Sequence, residues 1–321
     1  MRAAGVRRIG DAVEPLELPD PRALRADEIL VQVRACGVGN WDEFVRTGGW
    51  DTGTRPPMAL GVEAAGVAAA VGAAAGTFAA GDRVLAHAAP QREQGSWAEW
   101  FIVAAADCAL LPDEVPFETG AALPVPALTA DQAVSDALNV AAGQTVLVHG
   151  AGGVTGGMLV QLAAHHGATV IATAGPDSAA RLSAMGAAYV LDYHEPGWPE
   201  QVRTLTGGGA DAAANAVPAG SAAAARAVRD GGRLATITAD PPAPGRGITA
   251  AVVLVAPDGA RLGRLARLAA RGVLTVASTR SYPLDQAGEA LARARHGAHG
   301  AAIVLFSGRP HLRPGLGKQG L

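Results

Sequence analysis

"TVLVHGAGGVTGGMLVQLAA" (residues 145–164) joins a β-branched apolar strand to an apolar helix through three glycines spaced three apart, Gly150, Gly153 and Gly156. Each glycine has a separate physical task in a strand-to-helix turn that binds a dinucleotide. Gly150 allows the tight turn, Gly153 lets backbone N–H groups approach a pyrophosphate, and Gly156 lets the helix pack close to the strand. Val154 and Thr155 open the helix, whose positive end faces the phosphate charge. Glycine-rich turns are common on their own. The strand before and the helix after make dinucleotide binding the stronger reading here.

Outward from this turn, strands and helices alternate. "TVIATAG" (169–175) leads into "SAARLSAMG", "YVLDY" (189–193) into "PEQVRTLTG", and "ADAAANAV" (210–217) into "SAAAARAVRDGG" (221–232), followed by "RLATITA" (233–239). This order predicts a doubly wound parallel sheet with helices on both faces. An NAD site usually places an acid about 20 residues beyond the turn, at the end of the second strand. Here that strand ends at Gly175, which leaves room for a 2′-phosphate. Arg181 is the nearest cation, with Ser178 and Tyr193 as hydrogen-bond donors, while Asp177 nearby weighs the other way. NADPH is the expected cofactor and NADH the alternative.

Upstream, the pattern is different. "EILVQVRACGV" (28–38), "GVEAAGVAAAVG" (61–72), "GDRVLAHA" (81–88) and "WAEWFIVAAADCALLP" (97–112) read as short strands separated by turn signals, the pattern of a small barrel or sandwich. A helical stretch, 123–143, separates them from the alternating region. Downstream come "ITAAVVLVA" (248–256), a helix over 258–272, a strand "LTVAST" (274–279), a helix over 284–297 and a strand "AAIVLF" (301–306). Residues 307–321 carry no periodicity and read as a disordered tail.

Composition narrows the partners. A formal charge of -3 with no basic block argues against nucleic acid and anionic membranes. The longest apolar run is strand-length, too short to span a bilayer. The opening "MRAAGVRRIGDAVEPLELPDP" has no uninterrupted apolar core, so a cytoplasmic protein is expected. Cys36 and Cys108 stand alone and read as reduced core thiols. His149 sits at the end of a buried strand and reads as a satisfied core histidine rather than a general base.

Nearly the whole chain, from "MRAAGV" to "AAIVLF", resembles the medium-chain dehydrogenase/reductase superfamily, and within it the zinc-independent quinone oxidoreductase and enoyl reductase branch. The stretches that carry the resemblance are "ACGVGNWDEFVRTG", "ALGVEAAGVAAAVG", "GDRV", "GSWAEWFIV", "ALPVPALTADQA", the glycine turn and "GAHGAAIVLF". It implies an α/β protein with a GroES-like β-barrel domain over 1–122, completed by 271–306, and a Rossmann cofactor domain over 123–270. Substrate and nicotinamide would meet in the cleft between them.

Zinc-dependent members carry a ligand His where this chain has Val62 and a ligand Cys where it has Gly39. No metal is therefore expected. Glu63 then reads as a structural acid held by backbone or by Arg46, or else as an exposed strand-edge acid. Without a Lewis acid to stabilise an alkoxide, alcohol oxidation is disfavoured. Hydride transfer to a quinone or an α,β-unsaturated carbonyl, free or as an acyl thioester, needs only hydrogen-bond donors for the developing oxyanion.

The resemblance also implies the site residues. Asn40 and Arg46 are the catalytic candidates, although Gly39 occupies the usual Asn position and Arg46 reads equally as an ion-pair partner of Asp42 or Glu63. Trp41, Phe44 and Trp50 are expected to line the acceptor pocket, with Phe44 replacing a frequent Tyr. Thr129 and Val217 are expected beside the cofactor. The edge strand in "GITAAVVLVA" suggests a homodimer. Two other readings stay open: an NADP(H)-binding structural or sensor protein with little turnover and, more remotely, a zinc alcohol dehydrogenase.

Overall fold

In the computed structural model, which describes residues 1–277, 279–296 and 300–306, the chain divides into two units. One holds Met1–Val125, Pro257–Arg271 and the described residues from 279 onward; the other holds Pro126–Ala256 and Gly272–Ala277.

The first unit opens with β1 (Arg2–Val6), β2 (Glu14–Glu17), β3 (Glu28–Val38) and helix α1 (Asn40–Thr47). There follow β4 (Met58–Ala59), β5 (Glu63–Val71), β6 (Arg83–His87), β7 (Trp100–Ala104), β8 (Cys108–Leu110) and the short α2 (Phe117–Ala121). β3 is long enough to pair with β5 and, over Glu28–Gln32, with β7. Ile29, Val31 and Val33 of β3 pack with Trp97 and Phe101 in one apolar core. α1 starts and stops on local signals. The Asp42 carboxylate accepts the Gly39 N–H at 2.9 Å as a cap, and Gly48 ends the helix at φ +81°.

The second unit begins within α3 (Pro124–Asp131), which widens into a π turn over Gln132–Ala137. Then come β9 (Thr145–His149), α4 (Val154–His165), β10 (Thr169–Ala174), α5 (Ala179–Ala184) and β11 (Ala187–Asp192). α6 (Trp198–Thr206), β12 (Ala210–Asn215), α7 (Ser221–Ala227), β13 (Val228–Thr236) and β14 (Thr249–Val252) complete it. The sheet order is β11-β10-β9-β12-β13-β14, with every pair parallel. The winding reverses beside β9, so a crevice opens past its carboxyl end, where such folds bind ligands. Alanine replaces bulk in this core: Ala213, Ala224 and Ala227 pack with Leu147, Ile171 and Leu234.

The rest of the first unit comprises α8 (Gly259–Ala270), β15 (Thr279–Pro283), α9 (Ala287–Arg295) and β16 (Ala301–Leu305). Gly259 lets α8 approach β8, since a Cβ there would stand 2.3 Å from the Cys108 carbonyl oxygen. β16 pairs antiparallel with Ala35–Val38 of β3, which joins it to the first unit.

Three expectations are corrected. No strand forms over 274–277; β15 begins at Thr279, and Ser278 lies outside the described residues. α7 stops at Ala227 rather than near 232, because Val228 enters β13 and Gly231, at φ +70°, supplies the bend there. The edge strand is only Thr249–Val252. The tail expected at 307–321 lies outside the described residues. Cys36 and Cys108 are both free and buried, and among the described residues no helix is long and apolar enough to cross a membrane.

Candidate functional site

The glycine turn has the geometry its spacing predicts. Gly150 takes φ +85°, where an L side chain is strained, and a Cβ there would meet Val217 Cγ2 at 2.6 Å. At Gly156 a Cβ would stand 2.2 Å from the Gly150 carbonyl oxygen, so the helix rests directly on the turn. Gly153 is open by contrast; its nearest neighbour would be 3.9 Å away. Gly153 is the N-cap of α4 with no side-chain cap, so the N–H groups of Val154 and Thr155 are left for an anion. This cradle fits a pyrophosphate.

Around it, Val217 is fixed by Asn215, whose Oδ1 accepts the Val217 N–H at 3.2 Å and whose Nδ2 donates to the Val217 carbonyl at 3.0 Å. Thr129 is buried in α3. His149 is the satisfied core histidine expected: its Nδ1 lies 2.7 Å from Thr173 Oγ1 and its ring stacks on Trp198 at 4.6 Å. Burial lowers its pKa to about 4, so the ring is neutral.

At the end of β10, a Cβ on Gly175 would lie 3.8 Å from Tyr193 and 3.9 Å from His194. Sequence reading missed His194. Its ring lies against Tyr193, centroids 4.0 Å apart and tilted by 32°, and its Nδ1 meets Asp192 at 2.6 Å. The adjacent "YH" after a predicted strand was the available signal. Arg181 donates to the Gly152 carbonyl at 2.9 Å and to Ser178 Oγ at 3.2 Å, and burial lowers its pKa. Arg181 and Ser178 thus meet at the glycine turn, while Tyr193 meets Gly175.

In the first unit, Asn40 is exposed at the start of α1. Gly39 is covered by the Trp41 indole, 2.2 Å from where its Cβ would be. Phe44 is 57% exposed and Trp50 partly buried. Arg46 pairs with Glu43, 2.7 Å away, rather than with Asp42 or Glu63, and also donates to the Gly10 and Asp11 carbonyls. Its guanidinium fastens α1 to the loop before β2.

Glu63 is buried, not a strand-edge acid, and it is held by backbone: its Oε2 accepts the Val125 N–H at 2.7 Å. Burial raises its pKa well above the usual carboxylate value, and the nearby Asp42 adds to the rise. Asp42, also buried, is raised to about 8 by the same cause. A zinc ion needs three or four N, S or O ligands. Gly39 and Val62 offer no donor atom, and no three His, Cys, Asp or Glu side chains come together among the described residues. The described residues do not fit a zinc site.

Two protein-family models match the chain: the alcohol dehydrogenase GroES-like domain over residues 25–113 and the zinc-binding dehydrogenase over 154–273. A quinone oxidoreductase of Rattus norvegicus is 32% identical over 186 residues, which is 58% of this chain and 56% of that protein's length. A solved NAD-dependent alcohol dehydrogenase superposes with TM-score 0.87 at 29% identity, covering 96% of this chain and all of its own. A mycobacterial protein complexed with NADPH superposes with TM-score 0.82 at 28% identity, covering 95% of this chain and all of its own. Fold, glycine turn and relatives agree: the chain matches both domain models of the zinc-binding dehydrogenases and is similar to the quinone oxidoreductases of the medium-chain dehydrogenase/reductase superfamily.

Proposed function

We propose that this chain transfers a hydride from NADPH to a quinone or an α,β-unsaturated carbonyl, without a catalytic metal. The open, uncapped N-terminus of α4 behind Gly153 is the observation that carries the reading. Nicotinamide, when bound, supplies the hydride. The protein binds the pyrophosphate on the N–H groups of Val154 and Thr155 and sets Val217 against Gly150. Thr129 is the residue proposed beside the nicotinamide ribose. Asn40, Trp41, Phe44 and Trp50 are proposed to face the acceptor. An electron-poor carbon accepts hydride without a Lewis acid, which suits a chain whose residues do not fit zinc. Rates with a panel of quinones and enones, free and as acyl thioesters, given NADH or NADPH, test the reading. Tight NADPH binding with no oxidation by any acceptor would favour the binding-protein alternative.

Arg181, Ser178 and Tyr193 are proposed to select the 2′-phosphate. A hydrogen bond to a charged group contributes about 1.5–3 kcal/mol. Arg181→Ala is therefore expected to raise KM for NADPH by about 10–100-fold and that for NADH only a few-fold. Equal changes for both cofactors would remove Arg181 from the selection.

A homodimer is also proposed. Among the described residues β14 is bonded on one side only, to β13, and Val252 at its end and Leu254 just beyond are 41% and 76% exposed. An apolar edge of this kind invites pairing across a two-fold axis. Light scattering at micromolar concentration should give twice the chain mass, and a monomer mass would refute the pairing.

A further inference from the structure

Among the residues that α4 buries, Gln161 alone carries a polar side chain. Its Nε2 donates to the Gly157 carbonyl at 3.2 Å and to the Thr275 carbonyl at 3.0 Å. Its Oε1 accepts the Thr275 N–H at 2.8 Å and the Thr275 hydroxyl at 2.9 Å. An amide has two donor hydrogens and two acceptor lone pairs, so none is left over. Three of these bonds peg residues 272–277 to α4. That segment, α4 and α5 line a solvent-open cleft of about 320 Å³ that lies wholly within the second unit. Its volume falls at the lower end of ordinary small-ligand sites.

Ala184, Met185, Val273 and Val276 give the cleft an apolar wall, and Arg181 is the one charged side chain that lines it. The two ends of its guanidinium are placed differently. Nη2 donates to the Gly152 carbonyl at 2.9 Å and to Ser178 Oγ at 3.2 Å. Nη1 finds only the Met185 sulfur, 3.8 Å away, and a thioether is a weak acceptor. Burial lowers the Arg181 pKa, and no carboxylate of the described residues offsets it. A partly buried charge without a counter-charge is costly. The Gln161 and Thr275 side chains bond each other, so the donor left unspent in this cleft is cationic.

We propose that this cleft binds a small amphipathic anion, an apolar body ending in one carboxylate. The carboxylate accepts from Arg181 Nη1, and the body lies against Ala184, Met185, Val273 and Val276. Gln161 keeps the wall in place before the ligand arrives, which lowers the ordering cost of binding. The site itself does not depend on the oxidoreductase reading. Its coupling to the cofactor does. Arg181 also props the glycine turn through Gly152 and is proposed above to select the 2′-phosphate. An occupant and NADPH then draw on one guanidinium, and each raises the other's Kd by the same factor.

The probe is 2-naphthoate, flat and singly charged, with 2-naphthamide as its uncharged counterpart. In the full chain labelled at its methionine methyls, without cofactor, the Met185 resonance should shift saturably with 2-naphthoate. Half-saturation is expected at about 1 mM or below, from ordinary ligand efficiency. Met58, buried in the core of the first unit, should not move. The amide should bind at least about 10-fold more weakly, the loss of a hydrogen bond between charged groups. Arg181→Gln should bring naphthoate to the same level. Because that change also removes the bond to Gly152, Ala184→Phe is the second variant. It fills the cleft from the exposed side of α5 and leaves Arg181 in place. Naphthoate affinity should fall at least about 10-fold there, with Tm and the NADPH Kd unchanged. An unmoved Met185 resonance, equal affinity for acid and amide, or undiminished binding in Ala184→Phe overturns the site. Naphthoate bound in the cleft but indifferent to saturating NADPH upholds the site and removes Arg181 from the 2′-phosphate, so the two readings fail separately.

Discussion

Gly156→Ala is expected to raise the NADPH dissociation constant by at least about 100-fold, the loss of two hydrogen bonds to a charged group at about 1.5–3 kcal/mol each. The added Cβ would stand 2.2 Å from the Gly150 carbonyl oxygen and 2.8 Å from Ala151 Cα. Both are backbone atoms of the turn itself and cannot swing aside. Relief therefore requires α4 to lift off the turn, carrying the N–H groups of Val154 and Thr155 away from the phosphates. Gly153→Ala separates this distortion from the cofactor's own need for space. Its Cβ meets nothing closer than 3.9 Å in the protein, and Gly153 has φ -76°, so the fold should keep its Tm. NADPH affinity should still fall, by about 10-fold, because the methyl occupies the approach to the pyrophosphate. Fluorescence titration and thermal melts of the two variants check both effects. Wild-type affinity in Gly156→Ala would contradict the cradle.

The second large effect is on stability. Asp42 has a folded pKa of about 8 against an ordinary 3.8, because burial disfavours its charge; the Gly39 N–H only partly offsets this. Glu63 is raised for the same reason. A carboxyl whose pKa is raised by folding holds a proton that the unfolded chain releases. Its contribution is complete below pH 3.8 and is lost as pH climbs through about 8. His87 works in the opposite sense. Its pKa falls from 6.5 to about 4, so its contribution is present above 6.5 and lost as pH falls toward 4. Above pH 6.5 the His87 contribution is constant, and the raised carboxyls make stability decline toward pH 8.5. For Asp42 the loss is about 1–2 kcal/mol, at 1.36 kcal/mol per pH unit for one proton. Asp42→Asn mimics the neutral acid and should flatten the decline. Denaturant midpoints at pH 6.5 and 8.5 compare the two proteins, and parallel shifts would show that Asp42 does not titrate in this range.

The glycine turn and the alternation around it were legible because they are local: three glycines, a strand's β-branched run and a helix's apolar face all lie within twenty residues. What failed to read was set by distant partners. Residues 274–277 look like strand, yet the Gln161 side chain takes the backbone hydrogen bonds of Thr275, donating to its carbonyl at 3.0 Å and accepting its N–H at 2.8 Å. Those bonds replace a sheet partner. The helix end at Ala227 was hidden by an alanine run that favours helix, until Val228 joins β12. At the site, Arg46 with Glu43 is an i,i+3 pair visible in the sequence. The hold on Glu63 comes from the N–H of Val125, 62 positions away, and no local pattern reports it.

Metal independence of turnover is the most direct measurement of all. NADPH oxidation by 1,4-benzoquinone should proceed at the full rate after exhaustive dialysis against a zinc chelator, with well under one zinc per chain remaining. An activity that vanishes on chelation and returns with added zinc, or that favours simple alcohols with the oxidised cofactor, would contradict it.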